Sequence, residues 1–152
     1  MQREQSLRVE LEITIDRPVD VVLDFITDIS KFTQWAENAV EAVQTSEGPV
    51  GVGTTCRIVN RAMGKSLEHE FEVTEFDPGK RYTVRSTSGP FPMMMTYNVE
   101  EVGHGAKLHT VTEAAPGGIM ALAAPLMNVK IKKQLESDHK NLKRLLESGQ
   151  EG

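Results

Sequence analysis

A long amphipathic segment at the C-terminal end constrains the fold of this chain more than any other feature. Apolar residues recur in residues 117–147 mostly at steps of three, four or seven, which keeps them on one face of a helix. They are Ile119, Leu122, Leu126, Ile131, Leu135, Leu142 and Leu146. Pro125 lies inside this pattern and lacks a backbone N–H, so we expect the helix to kink or restart there. One long helix after many strand-like segments predicts two packed layers, a sheet and a helix.

The chain before this helix consists of short segments with the patterns of strands. Residues 7–15 alternate apolar and polar side chains, which is typical of a strand with one buried face. Asp16, as an N-cap, and Pro18 then predict the start of a helix, and a second helical turn is expected around residues 30–35. Six further strands are predicted at residues 40–45, 54–62, 66–76, 81–87, 91–102 and 106–114. Turn residues join them, which indicates an antiparallel meander.

These elements predict an α+β fold in which a curved antiparallel sheet of about seven strands wraps around the C-terminal helix. Two short helices follow the first strand. The sequence shows no repeat, low-complexity tract or linker, so we expect one domain over residues 1–152.

Charge and cysteine content exclude several classes of protein. The formal net charge is −5, with 17 basic and 22 acidic residues, which argues against a general nucleic-acid binder. The lysines of the last helix are interpreted as a solvated face. Cys56 is the only cysteine, so an internal disulfide and a thiolate metal cluster are excluded. No apolar stretch approaches the ~20 residues of a membrane span. We expect a cytoplasmic protein, a monomer or weak homodimer, without stable membrane insertion.

Several local strings resemble one known family. Residues 18–28 are similar to its first helix, which ends in an aspartate, matched by Asp28. A tryptophan follows a few residues later in the family, and Trp35 matches it. Residues 49–54 resemble its glycine loop, residues 76–81 its mid-sheet turn, and residues 103–112 its strand of alternating threonines. The family is the START-like superfamily with the Bet v 1-like helix-grip fold, and within it the polyketide cyclase/dehydrase-like branch, also called SRPBCC. The resemblance implies an apolar cavity between sheet and C-terminal helix that holds a small hydrophobic or lipid-like molecule.

Strand parity selects candidate residues for the wall of such a cavity. If odd-numbered residues of the central strands face the helix, the wall includes aromatic and methionine side chains, and methionine suits an adaptable apolar wall. Polar residues of the same faces would orient a ligand. The predicted ligand-binding residues are His69, Phe71, Met93, Met95, Tyr97, Thr110 and Thr112 from the sheet, and Met127 and Ile131 from the helix, with Met120 as a further contributor. Plain core filling is the alternative interpretation of the apolar members.

No catalytic or metal-binding constellation is apparent in the sequence. His69 is a candidate acid or base, but a histidine bonded to a neighbour is the commoner case. Ser137, Asp138 and His139 are adjacent on a helix and point about 100° apart, so they do not form a triad. His139 is interpreted as packing between helix and sheet. The histidines fit no zinc pattern, and we predict no metal and no cofactor.

Three functions remain open at this stage. The first is a binding protein for a small apolar molecule, without turnover. The second is an enzyme of the aromatase/cyclase kind, a polyketide cyclase or dehydratase that uses the same cavity. The third is an interaction protein that docks a partner on the basic face of its last helix. The lack of a dense inward set of reactive side chains favours the first, so the chain is expected not to be an enzyme.

Overall fold

The computed structural model describes residues 7–62, 64–115 and 124–149. Its elements, in chain order, are β1 (Leu7–Ile15), α1 (Val19–Thr27), a 3₁₀ turn (Ile29–Lys31), α2 (Phe32–Trp35), β2 (Ala39–Gln44), β3 (Thr55–Ala62), β4 (Lys65–Asp77), β5 (Arg81–Ser88), β6 (Met93–Val102), β7 (Gly105–Ala114) and α3 (Ala124–Glu147). Residues 117–123 of the predicted helix, with Ile119, Met120 and Leu122, lie outside the described residues.

The seven strands form one antiparallel sheet in the order β1-β7-β6-β5-β4-β3-β2. Consecutive strands pair from β2 through β7, and β1 pairs with β7 at the other edge of the sheet. The α+β helix-grip fold predicted from the sequence is therefore confirmed, including the two short helices after β1. All predicted strand positions are confirmed, with ends that differ by one or two residues.

The start of α1 differs from the prediction. Pro18, rather than Asp16, occupies the N-cap, and no side chain caps the helix. The backbone N–H of Asp16 instead donates to the Glu147 carboxylate at 2.8 Å. Proline suits this position because a helix start leaves its first N–H groups without intrahelical partners. The capping role assigned to Asp16 was wrong because the helix begins at Val19, so Asp16 lies two residues before the N-cap.

One face of the sheet supplies most of the apolar core. The main cluster of buried side chains joins this face to α1, α2 and the C-terminal half of α3, where Leu142 and Leu146 are fully buried. A second, smaller cluster centres on Leu7 and Ala114, against which Met127 and Ile131 of α3 pack. The helix therefore packs on the sheet through the apolar face that the pattern predicts, except that Leu126, which the pattern placed on this face, is 69% exposed.

Polar contacts fix the C-terminal end of α3 to the edge strand. The Arg17 guanidinium donates to the carbonyl of Leu146 at 2.6 Å, and the Lys143 ammonium donates to the carbonyl of Thr14. Pro125 lies within α3 as the structure describes it, from Ala124 onward. Among the described helices, none is long and apolar enough to cross a membrane.

Candidate functional site

Seven of the nine predicted ligand-binding residues lie on the inner face of the sheet, and the other two lie on α3. The side chains of His69, Phe71, Met95, Tyr97, Thr110 and Thr112 are buried on the inner face, and Met93, Met127 and Ile131 are half-buried. Cross-strand pairing brings Met95 beside Thr112 and Tyr97 beside Thr110. The structure therefore brings these residues to one interior, while their role as ligand contacts stays a prediction.

The interior contains two apolar clusters rather than one continuous core. Met93 is the partly buried residue that packs against both. The cluster around Leu7 and Ala114 includes the half-buried Phe91 and the first turns of α3. Between the clusters lie polar side chains of the inner face, including His69 and Thr112. The interior thus combines apolar walls with a few polar groups, which is the composition of small-molecule sites.

His69 on β4 has one ring nitrogen fixed and the other without a partner. Its Nε2 lies 3.1 Å from the carbonyl oxygen of Phe91, so Nε2 carries the proton and donates. Nδ1 is then an acceptor; it is buried and has no hydrogen-bond partner among the described residues. The ring stacks on Phe71 at 5.6 Å between centroids. Burial lowers the pKa of His69 below its ordinary value, against the opposing effect of the Phe91 carbonyl, so the ring is neutral at pH 7.

His139 is bonded to both layers. Its Nδ1 donates to the carbonyl of Leu135 at 2.8 Å, which leaves Nε2 to accept from the Thr110 hydroxyl at 2.8 Å. Burial lowers the pKa of His139, so this neutral tautomer persists at pH 7. The packing role predicted for His139 matches this position. Thr110 faces the interior as predicted, but its hydroxyl is already engaged by the helix.

Three aromatic residues line the interior beside His139. The rings of Tyr82 and Tyr97 stack at 5.9 Å, and Trp35 meets Tyr97 edge-on at 6.5 Å and His139 at 6.0 Å. The Tyr97 hydroxyl donates to the Met95 sulfur at 3.7 Å, a weak interaction. Burial raises the pKa of both tyrosines, so their hydroxyls stay protonated and available as donors.

Five buried polar atoms have no hydrogen-bond partner in the part of the chain that the structure describes. They are Trp35 Nε1, His69 Nδ1, Tyr82 OH, Thr112 Oγ1 and Asn128 Oδ1. Sequence reasoning selected two of these residues and missed Trp35, Tyr82 and Asn128. A signal existed for Asn128, which is a polar residue three positions before Ile131 and seven before Leu135 on the apolar stripe. Tyr82 shares its strand parity with the buried Val84.

Asp138 lies at the junction of α3 with the loop after α2. Its carboxylate accepts from the backbone N–H of Glu37 at 3.0 Å and from the Gln134 amide at 2.9 Å. Burial raises its pKa, and these two bonds oppose that effect. His139 bonds to Leu135 and Thr110 and not to Asp138. Asp138 and His139 therefore do not act as members of a catalytic triad, as their spacing on the helix predicts.

The two grooves described on the surface lie away from this interior. One, of about 630 Å³, crosses the outer face of the sheet and is lined by charged and polar residues such as Glu12, Arg81, Asn98, Lys107 and His109. The other, of about 270 Å³, lies beside α1. Neither has the apolar lining expected of the predicted cavity, whose existence stays a prediction that rests on the inward side chains.

The described residues contain no group of three or more histidine, cysteine or acidic side chains arranged to hold a metal ion. Cys56 is buried in the main core, and burial raises the pKa of its thiol to about 11. A thiol with so high a pKa is a poor nucleophile and a poor ligand at neutral pH.

Comparison with known proteins agrees with this architecture. Residues 6–147 match the model of a family described as polyketide cyclase / dehydrase and lipid transport. The chain belongs to this family. The match covers nearly the whole chain, including all described strands and α3. The family, by its description, includes both enzymes and lipid-transport proteins, so membership alone does not decide between the two.

Solved structures share the family fold at low sequence identity. The protein TTHA0849 from Thermus thermophilus has a TM-score of 0.79 and 21% identity, over 90% of this chain and 94% of that protein. The protein Ara h 8.0201 has a TM-score of 0.71 and 15% identity, over 94% of this chain and 99% of that protein. The di-domain ARO/CYC protein StfQ from the steffimycin biosynthetic pathway has a TM-score of 0.76 and 11% identity.

The match to StfQ covers 94% of this chain but only 51% of StfQ, so this chain corresponds to about half of the di-domain protein. No curated protein sequence matches this chain significantly. These structural similarities establish the fold of the chain and not its function.

Proposed function

We propose that this protein binds a small, mainly apolar molecule between the inner face of the sheet and α3. The observation that carries the proposal is a set of five buried polar atoms with no hydrogen-bond partner among the described residues, on Trp35, His69, Tyr82, Thr112 and Asn128. A ligand with an apolar body and a few polar groups would give these atoms partners and contact the apolar walls at the same time.

The energetic cost of these atoms supports the proposal. Native proteins leave few buried polar atoms unpaired, because each one costs about 1–3 kcal/mol. Four of the five belong to the sheet face or α3, and the fifth, on Trp35, belongs to the short helix beside them. Ordered water is the other species that satisfies such atoms, and the experiments below separate water from a ligand.

Native mass spectrometry of freshly purified protein is the first test. We expect a fraction of the protein to carry a discrete extra mass that is lost on denaturation, whereas water alone gives no such mass. Binding of the neutral dye Nile red, followed by fluorescence, gives a second measure that does not depend on a ligand surviving purification.

Two neighbouring methionines provide a matched pair of variants. Met93 faces the interior, and Met94 lies on the opposite face of β6, where it pairs with Glu113. Met93→Trp should fill the interior and abolish Nile red binding, at a stability cost within the ~1–3 kcal/mol of overpacking. Met94→Trp should bind as the wild type does. Equal binding by both variants would show that the dye does not enter between sheet and α3.

The contribution of a single polar atom is tested at Thr112. Thr112→Val removes the unpartnered hydroxyl with little change in shape. Loss of one neutral hydrogen bond should weaken binding of a hydroxylated ligand by about 0.5–1.5 kcal/mol, which is roughly 2- to 12-fold. Thr74→Val, at an exposed position of β4, is the control. The same loss in both variants would contradict a ligand contact at Thr112.

A cyclase or dehydratase that uses the same interior is the second candidate, and the geometry of His69 favours it. Because Nε2 donates to the Phe91 carbonyl, Nδ1 has its lone pair available as a general base. In a dehydration, Nδ1 would take the proton next to a ketone, which leaves an enolate and an imidazolium, and the imidazolium would return that proton to the β-hydroxyl as the C–O bond breaks and water leaves. Loss of a general base typically slows such a reaction by about 10²- to 10⁴-fold.

The two candidates differ in one measurement. A β-hydroxy ketone probe that loses water gives an enone with a strong ultraviolet absorbance. A binding protein should leave the probe unchanged, and His69→Ala should then weaken only affinity. Turnover by the wild type that falls a hundredfold or more in His69→Ala, with affinity retained, would establish the enzyme.

A further inference from the structure

We infer that the interior site takes an uncharged ligand and discriminates against carboxylates. The inference rests on the proposed function and names the class of molecule that the site accepts. It is carried by three observations on the interior: the lack of a cationic side chain, the neutral character of its unpartnered atoms, and the carboxylate of Asp138 at one end.

The distribution of basic residues is the first observation. The sequence has 17 lysine and arginine residues, and Arg3 is the one that lies outside the described residues. None of the other sixteen is buried: each is exposed or half-buried. Residues 116–123, which lead into α3, contain no charged residue. The described interior therefore offers no ammonium or guanidinium group to pair with an anion.

The half-buried basic residues are engaged away from the inner face. Arg57 pairs with Glu41 on the outer face of the sheet, and Lys107 faces Glu100 there. Arg17 and Lys143 bind backbone carbonyls at the end of α3 and the edge of β1. Lys31 lies over the Phe25 ring beside Asp28.

The unpartnered polar atoms of the interior are neutral groups of both hydrogen-bonding types. Trp35 Nε1 is a donor, His69 Nδ1 and Asn128 Oδ1 are acceptors, and the hydroxyls of Tyr82 and Thr112 can act as either. A carboxylate has acceptors only and would leave the two acceptor atoms unpaired. A ligand with hydroxyl and carbonyl groups offers both types. The two interior histidines supply no positive charge, because burial keeps both neutral at pH 7.

Asp138 adds a negative charge beside the interior. Only 7% of its surface is exposed, and its charge acts on the Tyr97 hydroxyl, whose pKa it helps to raise. A ligand anion near Tyr97 would meet the same repulsion. Taking a carboxylate out of water without a positive partner is costly, whereas a neutral hydroxyl needs only a hydrogen bond.

Two matched pairs of probes test the inference on the wild-type protein. The pairs are decan-1-ol with decanoate, and 2-naphthol with 2-naphthoate, each measured by displacement of Nile red at pH 7.5. The neutral member should bind more tightly than the carboxylate by at least about tenfold in the pair that fits the site. Decylamine, a cation of the same chain length as decanol, should also bind more weakly than decanol.

The outcomes separate the inference from the proposed function. A carboxylate that binds within threefold of its neutral partner would overturn the inference and leave the proposed function intact. Decylamine binding tighter than decanol would overturn it in favour of a cationic ligand held by Asp138. If Nile red and all of the probes fail to bind, the proposed function itself is wrong, and the inference fails with it.

The role of Asp138 is tested by Asp138→Asn, which keeps an acceptor oxygen for the Glu37 N–H. Removal of the charge should raise the affinity for decanoate several-fold and leave that for decanol unchanged. Glu136→Gln removes a carboxylate from the exposed face of the same helix and should change neither affinity. An equal gain for decanoate in both variants would show that net charge, rather than Asp138, excludes the anion.

Discussion

His139 of α3 and Thr110 of β7 share a buried hydrogen bond of 2.8 Å that joins the helix to the sheet. Both residues are 2% exposed, and the Thr110 hydroxyl is the donor because His139 uses its other nitrogen to bond Leu135. This bond sets the position of the helix over the middle of β7.

The His139–Thr110 bond should contribute measurably to stability. Thr110→Val leaves the His139 acceptor buried and unpaired, so we expect the free energy of unfolding to fall by about 1–3 kcal/mol. His139→Phe removes the other partner, and the double variant should lose less than the sum of the single losses. Urea unfolding of the four proteins measures the coupling, with Thr74→Val as the surface control. Strictly additive losses would contradict the bond.

Gly89 in the turn before β6 should not tolerate a side chain. Its φ of +143° is unfavourable for other residues, and a Cβ there would lie 2.4 Å from Cδ2 of His69. Gly89→Ala should therefore destabilise the protein by about 1–3 kcal/mol and displace the His69 ring, with a loss of Nile red binding. Gly51→Ala, where a Cβ meets nothing within 4 Å, is the matched control. Equal melting temperatures for the two variants would show that the turn does not close over His69.

Stability should decline as the pH falls below about 6.5. Burial lowers the pKa of both His69 and His139 from the ordinary value of 6.5, so below that pH the unfolded chain binds more protons than the folded one. The raised pKa of Asp138 acts with the opposite sign: its contribution to stability is complete below pH 3.8 and is lost as the pH rises through the pKa of the folded state.

Melting temperatures between pH 8 and pH 5.5 measure the histidine effect. His139→Gln should melt lower than the wild type at pH 8 but lose less on acidification. His104→Gln, in the exposed turn between β6 and β7, should follow the wild-type curve. Parallel curves for His139→Gln and the wild type would exclude His139 as a source of the pH dependence.

The Cys56 thiol should be inert in the folded protein. It is 2% exposed, and burial raises its pKa to about 11, so about one thiol in a thousand is ionised at pH 8. Its reaction with a disulfide reagent such as DTNB should wait for unfolding and become fast in urea. The variant Cys56→Ser/Thr74→Cys carries an exposed thiol on β4 and should react at once. Fast reaction of native Cys56 would show that the core opens readily.

The sequence predicted the elements and the inner face well because both depend on local periodicity. Alternation along β4 and β6 assigned His69, Phe71, Met95 and Tyr97 to one side of the sheet, and all four are buried there. A strand reverses the direction of its side chains at every residue, so one buried face can be read from the order of residues alone. On the helix, Met127 and Ile131 were predicted to face the sheet, and both pack against the cluster around Leu7 and Ala114.

The prediction failed or stopped where a contact joins distant parts of the chain. Asp16 looked like an N-cap from its neighbours, yet Pro18 takes that position and the Asp16 N–H bonds the Glu147 carboxylate at the far end of the chain. Thr110 looked available to a ligand, yet His139 occupies its hydroxyl. Trp35 and Tyr82 were not selected, because their places beside Tyr97 follow from the packing of α2 and the pairing of β5 with β6.

The sequence by itself thus determined the order of elements, the buried face of each and the family to which the chain belongs. Tertiary structure alone decided which polar atoms of that face are satisfied and which remain without partners. Periodicity predicts that His69 and Thr112 point inward, but hydrogen bonding depends on atoms that long-range packing brings within about 3 Å. The candidate site is defined by those unpartnered atoms, and for that reason it became visible only in the folded chain.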